Sequence, residues 1–225
     1  MLNPFSFIYF IVAILAGLTI HEASHATIAD ILGDPTAKRM GRVTLNPIKH
    51  LDPAGTLMMV FAAIFGIGIG WGKPCPVNPN NLRPNPKTGY ALVAAAGPVS
   101  NLLLAILLVA LTGYISLHAT TLPSLTVPGG QLSLATLIQT MLLVNVSLAL
   151  FNLIPIPPLD GFNVLLGLLP AGPSTSLSKL YQFGPGLLLL LIFFGSSLLG
   201  AYFNWGFRVF DTYLGVPIMS AFGLQ

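Results

Sequence analysis

The residues best suited to chemistry are His21-Glu22-Ala23-Ser24-His25. On a helix, positions four apart share a face, so both imidazoles point the same way. Two imidazoles held like this suit zinc, and the glutamate between them is placed to act as general base on a water. The five-residue pattern is common by chance in soluble chains. Here it lies in a long apolar segment, where ionisable groups are expensive and rarely idle. The competing reading is a pair of structural histidines with a glutamate that reaches for the interface.

A hydrolytic zinc site usually has three protein ligands and one open position. The remaining candidates are Asp30, Asp34, Asp52, Asp160, Asp211, His50 and His118. Asp160 stands out because it closes the run Asn152-Leu153-Ile154-Pro155-Ile156-Pro157-Pro158-Leu159-Asp160-Gly161. The prolines break a helix and expose backbone beside the acid, and Gly161 permits a tight turn. The alternative is a helix-end turn with Asp160 as a cap. His50 and Asp52, just before Pro53, are open to two readings. They approach the site as ligand, gate or relay, or Asp52 bonds local backbone in a turn, and the turn is favoured. His118 reads as incidental. Cys75, the one cysteine, reads as a small apolar filler and excludes a disulfide framework or a Cys-rich metal site.

The elements that must position these groups are membrane helices. Of 225 residues, 54% are hydrophobic and 7% charged, and the mean hydropathy is +0.84. Soluble domains carry about a quarter charged residues, so a soluble globular domain, a disordered tail and a coiled coil are excluded. The net charge of +3 reads as membrane orientation, because no aromatic-basic face accompanies it to suggest nucleic acid. Apolar segments run over 4–32, 54–71, 90–111, 134–153 and 187–203. The first lacks a basic flank and runs on into charged residues, so it reads as a retained helix, not a cleaved signal. Lys38, Arg39, Arg42 and Lys49 lie before the second segment, and Lys73, Arg83 and Lys87 after it. Basic short loops favour the cytoplasm. Both loops lie on one side only if 54–71 dips in and returns, and its ending Phe65-Gly66-Ile67-Gly68-Ile69-Gly70-Trp71 is poor helix chemistry. The proline-bounded stretches 41–47 and 73–79 look extended, as a small cytoplasmic-side β element. The expected fold is thus an all-α polytopic membrane protein. It has about four spanning helices, a re-entrant segment and that β element. The single domain 1–225 divides into 1–32, 41–79, 88–112, 134–161 and 183–207.

Taken together, His21, Glu22 and His25, the Asn-x-x-Pro-x-Pro-x-Leu-Asp-Gly pattern from Asn152 to Gly161, and Gly97-Pro98-Val99-Ser100-Asn101 resemble the site-2 protease family of intramembrane zinc metalloproteases. The three elements stand in that family's order and span most of the chain. The resemblance implies one zinc ion held by His21, His25 and Asp160, with Glu22 as catalytic base. It also implies cleavage of peptide bonds in or near transmembrane segments of other proteins. With Asp160 needed beside the histidines, a second segment that crosses the bilayer would strand it on the far face, which favours re-entry. Asn152, taken to share a helix with Asp160, would donate to the developing oxyanion or hold the substrate, or else join helices. Asn101 has the same two readings, in substrate binding or gating or as glue between helices. Expected partners are a membrane-protein substrate and the lipid bilayer, without nucleic acid and with the oligomeric state open. The expected location is the cell membrane, multi-pass, with the active site toward the cytoplasm. No connection can hold a PDZ or nucleotide-sensing insert. A transporter or channel, or a catalytically silent binder of membrane proteins, is the alternative.

Overall fold

The computed structural model describes residues 4–65, 70–118 and 133–224. The chain is mostly helical: α1 Pro4–Ile31, α2 Thr36–Arg39, α3 Pro53–Phe65, α4 Pro86–Leu117, α5 Leu134–Asn152, α6 Asp160–Leu168, α7 Ala171–Ser178, α8 Gly184–Phe194, α9 Ser196–Phe210 and α10 Val216–Ala221. Four described stretches are long and apolar enough to cross a membrane: Phe7–Ile31, Pro86–Leu117, Leu134–Asn152 and Ala171–Phe194.

α4 is the central strut, packed against α1, α5, α6 and α10. Its start is specified locally. Pro86 occupies the first turn, where its missing N–H costs nothing, and Asn85 caps the helix by accepting from Thr88 N at 2.9 Å. Small residues let the helices close on it: Ala13, Ala26 and Ala29 of α1 and Ala105 of α4 are fully buried. One apolar cluster joins α4, α5 and α9 through Ala105, Val109, Val146, Leu150 and Phe210. The outer faces carry Leu103, Leu107, Phe193, Phe194 and Trp205 exposed, a surface suited to lipid and not to water.

Three expectations change at this level. The helix expected over 134–161 ends at Asn152, because Pro155, Pro157 and Pro158 cannot continue it, and a new helix starts at Asp160. Asn152 and Asp160 therefore do not share a helix. The last segment is divided by Gly195, where α8 ends and α9 begins. The small β element is absent among the described residues, where Leu51 and Gly72 form a single antiparallel bridge. The reason is local: Pro47, Pro74, Pro76 and Pro79 remove ladder donors, and Asn46 and Asn78 turn the chain into short 3-10 turns by accepting from Ile48 N and Asn80 N.

The ends of the second apolar segment meet. Lys73 N donates to His50 O at 2.8 Å beside the Leu51–Gly72 bridge. Trp71 returns across the first turn of α3, so that a Cβ on Gly55 would lie 2.1 Å from its carbonyl oxygen. α3 and the returning arm thus form a hairpin. The Gly/Ile alternation falls largely on 66–69, outside the described residues, and most of the outer loop around 112–133 is outside them too.

Candidate metal centre

α1 presents His21 and His25 one turn apart, 4% and 6% exposed, with ring centroids 4.6 Å apart at an interplanar angle of 87°. α4 fixes both rings. The Nδ1–H of His25 donates to Val93 O at 2.7 Å. A carbonyl oxygen can only accept, so that proton sits on Nδ1. His21 Nδ1 meets Asn101 Oδ1 at 2.7 Å. The Asn101 orientation is determined by its other bonds, because Nδ2 donates to Gly17 O at 3.0 Å and to Asn145 Oδ1 at 2.8 Å. Asn145 in turn donates from Nδ2 to Met141 O at 2.8 Å. His21 therefore also carries a proton on Nδ1, and both Nε2 atoms face the same point.

Asp160 brings a third. Its Oδ2 lies 3.0 Å from His21 Nε2 and 3.2 Å from His25 Nε2. It is the first residue of α6, in the first turn after Leu159, and its carboxylate faces α1. Gly161 allows this by close approach, not by an unusual backbone angle: a Cβ there would lie 2.2 Å from Leu153 O. Gly97 of α4 supplies the room on the other side. A Cβ there would lie 2.5 Å from His21 Cε1, 2.5 Å from His25 Nε2 and 2.6 Å from His21 Nε2.

With both imidazoles neutral, the two Nε2 lone pairs and the carboxylate oxygen would repel unless a cation joined them. Asp160 Oδ2 is buried with no hydrogen-bond donor. Ligand atoms at about 2 Å in a tetrahedral zinc site are separated by roughly 3.3 Å, close to the spacing seen. The donor set, two imidazoles and a carboxylate, and the outer hydrogen bonds on both Nδ1 atoms suit zinc. Among the described residues these three form the group able to hold a metal.

A cavity of about 350 Å³ opens beside them, lined by Glu22, Trp71, Gly72, Cys75, Asn152 and Asn163 among others. Glu22 Oε2 is buried without a partner. Asn152 donates to Leu148 O at 3.0 Å and borders the cavity. Cys75 is half-buried, and burial followed by the charge of Glu22 pushes its thiol up to about 12, so it stays protonated. Asn101 is fully buried behind His21 and does not border the cavity. His50, 1% exposed, meets Thr44 O through Nε2 at 2.8 Å. Asp52 accepts from Gly55 N at 2.8 Å and caps α3. Neither borders the cavity. His118 lies at the end of α4, with Nδ1 2.9 Å from Tyr114 O. The sequence reading passed over Asn145, which a polar residue in an apolar span could have flagged, and Val93, whose contribution is a backbone oxygen with no side-chain signal.

Fold and site together define a helical membrane protein in which two histidines and one carboxylate are grouped so that they could hold a metal ion. The pattern of peptidase family M50 matches residues 9–192, and the chain belongs to that family. YwhC of Bacillus subtilis (strain 168), described as a candidate zinc metalloprotease, is 37% identical over 197 residues, covering 88% of this chain and 84% of the relative. Rip2 of Mycobacterium tuberculosis (strain H37Rv), described in the same way, is 32% identical over 209 residues, covering 91% and 74%. Rip2 of Mycolicibacterium smegmatis is 30% identical over 196 residues, covering 85% and 70%. No solved structure matches.

Proposed function

We propose that this chain is a zinc-dependent endopeptidase that hydrolyses peptide bonds in or near transmembrane segments of other proteins. The observation that carries the reading is the convergence of His21 Nε2, His25 Nε2 and Asp160 Oδ2, with both Nδ1 protons committed elsewhere. Zinc bound to those three atoms would supply Lewis acidity, lowering the pKa of a water and polarising the scissile carbonyl.

The chain's own groups do the rest. Glu22, with an unpartnered carboxylate oxygen beside the cavity, takes the proton from the attacking water. It then hands that proton to the leaving amine. Asn152, on the cavity wall, orients the substrate carbonyl. Asn101 acts behind the site and holds the His21 tautomer, so substrate contact is not its role. His50 and Asp52 secure the start of the hairpin. The site stays partly dry, which strengthens each of these interactions.

A bilayer placement follows. The second segment enters and leaves on one side, supported by the meeting of its ends at His50 and Lys73. Four helices then span, and the basic residues of 38–49 and 73–87 lie on the side where Asp160 meets α1. By the positive-inside tendency that side is the cytoplasm. The whole chain acts as one catalytic domain in the cell membrane, on a membrane-protein substrate.

The test is Glu22→Gln. The variant should keep one zinc per chain and lose cleavage of a membrane-spanning substrate in detergent or vesicles by at least about 10²-fold, the lower range for a general base. Cleavage at the wild-type rate would remove Glu22 from this role, and metal-free wild-type protein would remove the zinc reading altogether.

A further inference from the structure

We infer that Arg42 is a positioning residue for catalysis: it buckles the two feet of the hairpin that walls the catalytic cavity. The inference rests on the proteolytic reading above. Arg42 lies outside the site, in the connection after α2, yet is only 4% exposed. Its Nη1 donates to Lys49 O at 2.5 Å and to Lys73 O at 3.4 Å. Those two carbonyls belong to opposite ends of the hairpin, one before α3 and one after the returning arm. No carboxylate pairs with the guanidinium among the described residues, where the one salt bridge made by a lysine or arginine joins Lys38 to Asp30.

A buried cation without a counter-ion is expensive. Arg42 Nη1, which carries two N–H groups on a planar guanidinium, can offset this by reaching two carbonyls at once. The neighbouring ties are few: the Lys73 N–His50 O bond and the Leu51–Gly72 bridge. Immediately beyond the buckle, Gly70, Trp71, Gly72, Pro74 and Cys75 form one wall of the cavity. Opening the feet therefore moves that wall relative to Glu22 and the histidines, which are fixed independently by α4. Arg42 thus sets the width of the slot that receives the substrate backbone and leaves the metal ligands alone.

The experiment uses the full chain with Trp205→Phe, so that Trp71 on the returning arm is the reporter, and compares Arg42→Ala and Arg42→Lys with that background. Zinc per chain, acrylamide quenching of Trp71, and kcat and KM for a membrane-spanning substrate are measured. Arg42→Ala should keep its zinc and show at least twofold greater Trp71 quenching. KM should rise about tenfold, with kcat changed less than threefold. Arg42→Lys, which keeps the charge but not the fork, should fall between. Unchanged quenching and KM in Arg42→Ala, or loss of zinc, would overturn the inference. Should Arg42→Ala not fold, Arg42→Lys decides: raised quenching with zinc retained supports the buckle, and wild-type quenching rejects it. The quenching result stands even if the background protein cleaves nothing, in which case the proteolytic reading fails and the buckle does not.

Discussion

Gly97→Ala should weaken metal binding without costing the protein its fold. The added Cβ would lie 2.5 to 2.6 Å from three imidazole atoms, where ordinary contact begins at 3.4 Å. Relief requires the rings to retreat by about 1 Å, and both are pinned. Their Nδ1 bonds run to Asn101 and Val93, on the same helix as Gly97, so moving α4 away breaks those bonds while moving the rings breaks the convergence on Asp160. Overpacking of this kind costs about 1 to 3 kcal/mol, and disturbed outer hydrogen bonds to a ligating histidine cost about 10- to 100-fold in affinity. At 1.4 kcal/mol per tenfold, a loss of about 2 to 3 kcal/mol is roughly thirty- to a hundredfold in zinc Kd. Chelator competition reads that constant, and thermal unfolding of the metal-free protein checks the fold. Gly186→Ala is the control, since nothing lies within 4 Å of its Cβ position. If folded Gly97→Ala binds zinc within threefold of wild type, the argument that the glycine clears space for the imidazoles is wrong.

Two further outcomes are expected. Asn101→Ala removes the partner of His21 Nδ1 and of Asn145 Oδ1, and the second bond to Gly17 O. It should lower zinc affinity about 10- to 100-fold, whereas Asn101→Asp, which keeps an acceptor for His21, should retain more; equal losses in both would refute the tautomer role. Asp34 is fully buried, and its carboxylate accepts from Thr36 Oγ1 at 2.5 Å, Asn78 N at 2.7 Å and Asn81 Nδ2 at 2.9 Å. Burial raises its pKa, but these bonds outweigh that and hold it below the ordinary value. A lowered folded pKa means the stabilisation is present above the unfolded value near ~4 and is lost as pH falls through the folded one. Asp34→Ala should therefore destabilise the neutral-pH protein by about 2 to 3 kcal/mol, and the gap from wild type should narrow in acid; a gap independent of pH would refute this.

How much of this was legible depends on whether a signal is carried by a side chain in one segment or by two segments together. The spacing of His21 and His25 has one meaning on any helix, and the apolar run around them was enough to make that helix. The prolines at 155, 157 and 158 announced a break, but not that Asp160 would open the next helix; reading one element through 161 wrongly placed Asn152 and Asp160 on it. The stretches flanking the second segment looked extended, and they are largely non-helical. What they lacked for a sheet was donors, and the prolines that argued against helix argued equally against ladder pairing. Gly97 and Pro98, in one short motif, are compatible with close helix approach or a kink. That the approaching atoms are the imidazoles themselves depends on the register between α1 and α4, which no single segment encodes.

That register is where the site is built. Val93, Gly97 and Asn101 are spaced four apart on α4, one face of one helix, and each contributes a different thing: a carbonyl, a gap and a carboxamide. His21 and His25 lie one turn apart on α1, and their partners on α4 lie two turns apart with Gly97 between them. Val93 O takes the His25 proton, Asn101 Oδ1 takes the His21 proton, and Gly97 lies between them under both Nε2 edges. A shift of α4 by one turn either way would put Gly97 opposite one of the histidines and the side chain of Asn101 or Val93 where the gap is needed. The imidazoles would then be free to take either tautomer, and the convergence on Asp160 would be lost. The candidate metal site is therefore specified by one helix–helix register, to which the spacing of the histidines on α1 contributes only half.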